Sequence, residues 1–188
     1  MDLREILGKL ADRQVEGLMI HEQMSDLFDL LNLHGYKRWN EYRFIEEAVN
    51  MRLTKRFCIS TTNKLALTSN IIDPKGLPQT FFDKSRSDIN NKLEIVRGAF
   101  EKLSNWESET LKILNELYIM AQQRKAGEVA KYVIKNIENV SGELKYINRE
   151  LQTLKDVTSI DVIIDKQSSL HDCYKDKLNT PINKLQKI

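Results

Sequence analysis

The chain has 188 residues, 41% of them hydrophobic and 30% charged, with a formal net charge of only +2. That balance supports one folded domain with a sizeable core and excludes global disorder. Lys and Arg are mixed with Asp and Glu along almost every segment, so no electrostatic footprint for nucleic acid or an anionic membrane is expected.

No run approaches the roughly 18 apolar residues that span a bilayer, and Met1-Asp2-Leu3-Arg4-Glu5 lacks the basic-then-apolar layout of a secretory signal. A cytoplasmic protein is expected. Cys58 and Cys173 stand far apart without a CxxC pair, which fits reduced thiols better than a disulfide framework.

Seven glycines and three prolines leave long uninterrupted runs, the pattern of a helical bundle. The first run, residues 2–33, places Leu3, Leu7, Leu10, Leu18, Phe28 and Leu31 on one face of a helix and is expected to close where Gly35 takes the left-handed conformation. The second, residues 36–63, carries Trp39, Tyr42, Val49, Leu53 and Phe57 on its stripe, and the short connection makes the two antiparallel neighbours. Residues 61–86 contain Pro74-Lys75-Gly76-Leu77-Pro78, lose the period and read as a long crossover. The third run, residues 88–124, aligns Phe100, Leu103, Leu111, Leu114 and Leu117; Ala126-Gly127 supplies a turn. The fourth, residues 128–156, aligns Val133, Ile137, Val140, Leu144, Ile147, Leu151 and Leu154. Residues 159–188 add a shorter amphipathic helix at 160–178 and an end that frays at Thr180-Pro181. The expected fold is therefore all-α: an antiparallel four-helix bundle over residues 1–158 with one long crossover, then a C-terminal fifth helix.

Polar residues interrupt these stripes, and a carboxylate on a buried face must be paired, protonated or metal-bound. Glu107 falls on the line between Phe100 and Leu114; Gln14 and His21 lie between Leu10 and Phe28; Glu46, Glu47 and Asn50 crowd one turn of the second helix. Glu107 is either a metal ligand or a carboxylate bonded to Gln14, Asn50 or His21. His171, Asp172 and Cys173 are adjacent in sequence, so on a helix they point in different directions and do not make a metal set. No phosphate-cradling loop, nucleophile elbow or His-Glu-x-x-His pair occurs, so catalytic residues cannot be named.

The segments Phe100-Glu101-Lys102, Trp106-Glu107, Asn115-Glu116-Leu117-Tyr118, Lys125-Ala126-Gly127 and Tyr132-Val133-Ile134 resemble the third and fourth helices of bacterial non-haem ferritins without a gap. His21-Glu22-Gln23-Met24-Ser25, Gly35, Trp39 and Glu46-Glu47 fall at similar spacing in the first hairpin, so the resemblance covers residues 5–158. It implies a ferritin-like bundle, iron as the cofactor and a homo-oligomer. Carried across position by position, the iron-binding glutamates of the second and third helices correspond to Glu47 and Glu107. Asn50 stands where the family has histidine, Gln14 where it has glutamate and Val140 where it has glutamine or glutamate, while Glu143 matches a further acidic position. Two glutamates alone cannot fill the shells of two iron ions, so a displaced or single-metal site from His21, Glu47 and Glu107 is the remaining metal reading. The functional expectation is a protein that binds or stores iron with weakened or absent ferroxidase chemistry; the alternative is a metal-free bundle with a structural or partner-binding role.

Overall fold

The computed structural model describes residues 2–68 and 92–187; most of the expected crossover, with Pro74 and Pro78, lies outside the described residues. Among the described residues there are six helices and no strand: α1 Leu3–Leu30, α2 His34–Thr62, α3 Lys92–Gln123, α4 Gly127–Asp156, α5 Ile160–Lys177 and α6 Asn179–Lys187. The all-α expectation is met. The C-terminal segment forms two helices where one and a frayed end were expected. Pro181 is the third residue of α6, where its missing N–H is one that a helix leaves unpaired anyway, so it does not stop the chain.

Local chemistry sets the helix ends. Asp2 caps α1 by accepting the Glu5 N–H at 2.9 Å, and the Glu5 carboxylate accepts the Asp2 N–H in return, a closed capping box. Ser159 caps α5 through the Asp161 N–H at 3.2 Å. Neither tight turn uses glycine as expected. The left-handed residues are Asn32 (φ 57°) and Lys125 (φ 55°), and no glycine among the described residues has positive φ. Gly35 instead sits in the first turn of α2, where a Cβ would fall 2.6 Å from the Gln167 carbonyl oxygen of α5.

Two apolar clusters fill the bundle, one at each end. Phe28, Tyr36, Trp39, Phe100 and Ile147 form the first, with Ile163 of α5 added. Leu7, Leu10, Cys58, Leu114, Leu117 and Val133 form the second. The N-terminal half of α2 thus shares a cluster with the N-terminal half of α3, so these helices run parallel, as a crossover between hairpins requires. The chain after α2 is pinned to α1: Arg4 Nε donates to the Leu65 carbonyl at 2.9 Å, the Leu67 N–H donates to the Arg4 carbonyl at 3.2 Å, and Gly8 lets the strap pass. Leu53, expected inside, is 39% exposed. The inward line of α2 runs through Tyr36, Asn40, Arg43, Glu47 and Thr54, which turns Leu53 outward.

The fifth helix packs along α2. Gln167 Oε1 accepts the Tyr36 N–H at 2.9 Å, a helix-start donor with no partner in its own helix. Lys166 Nζ reaches both oxygens of buried Glu150 at 2.8 Å, and the Tyr36 hydroxyl donates to the same carboxylate at 3.1 Å.

Candidate functional site

Between the two apolar clusters lies a polar layer contributed by α1 to α4. Gln14, Glu47, Asn50, Glu107 and Glu143 line one enclosed cavity of about 20 Å³, together with Arg13, Trp106 and Thr110. Five of the six sequence-selected residues therefore meet; His21 is not among the cavity's lining residues. Its Nδ1 lies 2.9 Å from Asn40 Oδ1, and Asn40 Nδ2 donates to the Tyr36 carbonyl at 2.9 Å. That second bond fixes the amide, so His21 Nδ1 carries the proton and Nε2 is left with a lone pair and no hydrogen-bond partner among the described residues. Complete burial, with Arg43 nearby, pushes the imidazole down to about 3, so it is neutral.

Arg43 dominates the layer, and the sequence reading passed over it. Only 4% exposed, it donates to Glu47 at 2.9 Å from α2 itself, to Glu143 across the bundle on α4, and to Glu46. Burial alone works against its charge, but Glu143, Glu47, Glu46 and Glu107 hold the guanidinium more firmly protonated than usual. A signal was available: Arg43 precedes Glu47 by one helical turn and Asn50 by two, on the same inward line.

One cation does not neutralise three interior carboxylates. Burial pushes Glu47 up to about 8 against the pull of Arg43, with Glu143 and Glu46 adding to the rise. Glu107, 1% exposed, receives no hydrogen bond from any described donor at either oxygen. Burial, then the neighbouring Glu143 charge, raises Glu107 well above the ordinary carboxylate range. Burial likewise raises Glu143. Glu107, with no hydrogen bond from Arg43 to offset these effects, is the carboxyl of this layer that keeps its proton.

Gln14, Thr54 and Arg13 are satisfied within the protein, while the Trp106 indole N–H has no partner among the described residues. Gln14 Oε1 accepts the Thr54 hydroxyl at 2.8 Å, Thr54 meets the Tyr132 hydroxyl at 3.0 Å, and Gln14 Nε2 reaches Asn136 at 3.4 Å. Arg13 closes the α1–α3 side: Nε donates to Thr110 at 2.8 Å, one terminal nitrogen to the Trp106 carbonyl at 2.8 Å, and its plane lies 4.5 Å from the Trp106 ring centre. Gly17 permits that ring to approach, since a Cβ there would lie 2.7 Å from it.

This donor set does not fit a pair of iron ions. Two of the carboxylates are bonded to a buried guanidinium, and placing a divalent cation beside that charge is opposed by Coulomb repulsion in a low-dielectric interior. The cavity has room for about one water-sized species, whereas paired catalytic metals sit roughly 3.5–4 Å apart. Among the described residues no three His, Cys, Asp or Glu side chains converge as a metal-holding group, the sequence-adjacent His171, Asp172 and Cys173 included.

No protein-family profile matches the sequence, and no curated protein does either. Among solved structures, a humanized archaeal ferritin aligns with a TM-score of 0.72 at 17% identity, over 88% of this chain and 93% of that one. An open-pore ferritin from the hyperthermophilic archaeon Archaeoglobus fulgidus aligns with a TM-score of 0.72 at 16% identity, over 88% and 92%. Helix order, the parallel course of α2 and α3 and these two likenesses together establish that the chain has the ferritin-like fold.

Proposed function

We propose that this chain is a ferritin-like bundle whose central carboxylates are held by an arginine instead of iron, and that it acts as a structural or partner-binding protein without ferroxidase activity. The observation that carries this reading is Arg43, a buried cation bonded to Glu47 and Glu143 at the level of the bundle where the resemblance to ferritins implies metal. A fixed internal charge does for the carboxylates what a metal would do, without coordination sites open to dioxygen. Its work then falls to the outer faces, where Leu53 and Ile59 of α2, Ile119 of α3 and Ile134 of α4 are exposed. Self-association in the cytoplasm is the form of partnering this reading favours.

One observation favours a second reading. Glu107, with two oxygens free of donors and the Asn50 amide at the same cavity, offers a place for a single cation in exchange for the proton. Metal analysis and Fe(II) titration of the tag-free chain beside Glu107→Ala separate the two. The proposal expects no tight ion in either protein and no dioxygen-dependent oxidation above buffer. About one or two tight ions per chain, lost in Glu107→Ala, would replace it with an iron-binding function.

A further inference from the structure

On the outside of the polar layer, α2, α4 and α5 enclose an open pocket of about 470 Å³, within the roughly 300–1,000 Å³ typical of small-ligand sites. Its walls are Trp39 and Tyr42 of α2, Tyr146 of α4 and Tyr174 of α5, with Glu46 inside and Glu138 at the rim. The third wall exists only because α5 packs back on the four-helix core. The rings pack in pairs along the walls, Tyr42 with Tyr174 at 5.6 Å and Trp39 with Tyr146 at 5.0 Å.

The protein's own side chains show what these walls accept. Lys177 Nζ, inside the pocket, lies 4.8 Å from the centre of the Tyr174 ring, and the Arg149 guanidinium, which is not a lining residue, lies 5.5 Å from that of Tyr146. Both are cations over ring faces, attracted by the negative face of the π-system. The Tyr146 hydroxyl is buried away from the pocket, so Tyr146 contributes its ring to the wall. Glu46, Glu138 and Glu143 line the pocket with two cations, Arg43, already bonded to Glu46, Glu47 and Glu143, and Lys177, which stands over Tyr174. An anion would meet the three carboxylates, whereas an aliphatic ammonium can take the place that Lys177 Nζ holds over the Tyr174 face.

From this geometry we infer that the α2–α4–α5 pocket binds a small aliphatic ammonium compound, a linear mono- or diamine, through the faces of Tyr42, Tyr146 and Tyr174 and the carboxylates of Glu46 and Glu138. Lys177 occupies the Tyr174 face when the ligand is absent and is displaced toward solvent when it enters. The inference stands on residues outside the central cavity and does not depend on whether metal binds there.

The test is titration of the full-length chain with putrescine and with butylamine, followed by calorimetry and by saturation-transfer NMR, with butyrate as the anionic control. Saturable binding of one amine per chain is expected, with none of butyrate. Lys177→Gln, which clears the Tyr174 face, should tighten binding about fivefold, and Glu138→Gln should weaken it several-fold; both changes are on the exposed side and leave the bundle folded. Tyr174→Ala should weaken binding about tenfold or more, with helix content checked by circular dichroism. Absence of saturable amine binding, equal binding of butyrate, or amine binding that Lys177→Gln and Glu138→Gln leave unchanged would each overturn the inference.

Discussion

Arg43 decides the chemistry of the bundle centre, and its removal has a direction that depends on pH. Arg43→Met leaves Glu47 and Glu143 buried without their cation, a loss of about 3–5 kcal/mol at neutral pH. The loss should shrink near pH 5, where the orphaned Glu143 takes up a proton, Glu47 already holding one at neutral pH; urea unfolding at both values checks this, and equal losses would reduce Arg43 to packing. The parent protein has a pH dependence of its own. Glu47 titrates at about 8 in the fold against 4.5 when free, so between these values the folded chain keeps a proton that the unfolded chain has released. Stability from this group is full below 4.5 and is lost as pH rises through 8, by about 1.4 kcal/mol per pH unit for each proton retained. His21 acts oppositely: lowered to about 3 from 6.5, it costs stability as pH falls below 6.5. Between pH 6.5 and 8 only the carboxyl effect of these two operates, so the urea midpoint should fall with rising pH. Glu107→Gln, a neutral stand-in for the protonated acid, should flatten that fall, and an unchanged slope would show that Glu107 holds no proton there.

At the level of helices, two glycines predict opposite outcomes. Gly35→Ala drives a Cβ to 2.6 Å from the Gln167 carbonyl and 2.8 Å from its side-chain oxygen, so α5 must shift. A loss of about 1–3 kcal/mol is expected, with hydrogen exchange accelerated first in α5. Gly142, inside α4 with nothing within 4 Å of where a Cβ would stand, should instead gain about 0.5–1 kcal/mol on replacement by Ala, read as a higher urea midpoint. The helices themselves were legible from periodicity, because long apolar stripes with few breakers leave little else for the chain to form. Residues at their ends were less so: Asn32 and Lys125 took the left-handed turns, while Gly35 was kept for a contact with a helix more than a hundred residues away. A glycine beside a turn reads as the turn when its distant neighbour is invisible.

For the molecule as a whole, α5 is part of the folded body. Ending the chain at residue 158 removes Lys166 from buried Glu150, Gln167 from the Tyr36 N–H and Ile163 from the aromatic cluster. A loss of at least about 3 kcal/mol with new dye-binding apolar surface is expected, and an unchanged thermal midpoint would show that the four-helix core stands alone. The sequence by itself determined the helix order, the antiparallel hairpins and the polar line through Gln14, Glu47, Asn50, Glu107 and Glu143, because helical period fixes which side chains share a face. It did not determine what that line holds. Charged residues on an inward face can bind a metal, share a proton or bond one another, and those outcomes differ by distances of a few ångströms across four helices. Only the tertiary structure brought Arg43 between Glu47 and Glu143 and set His21 against Asn40, converting a ligand pattern into an internal ion pair. The same packing closed the aromatic pocket, whose walls come from helices that sequence spacing alone cannot bring together.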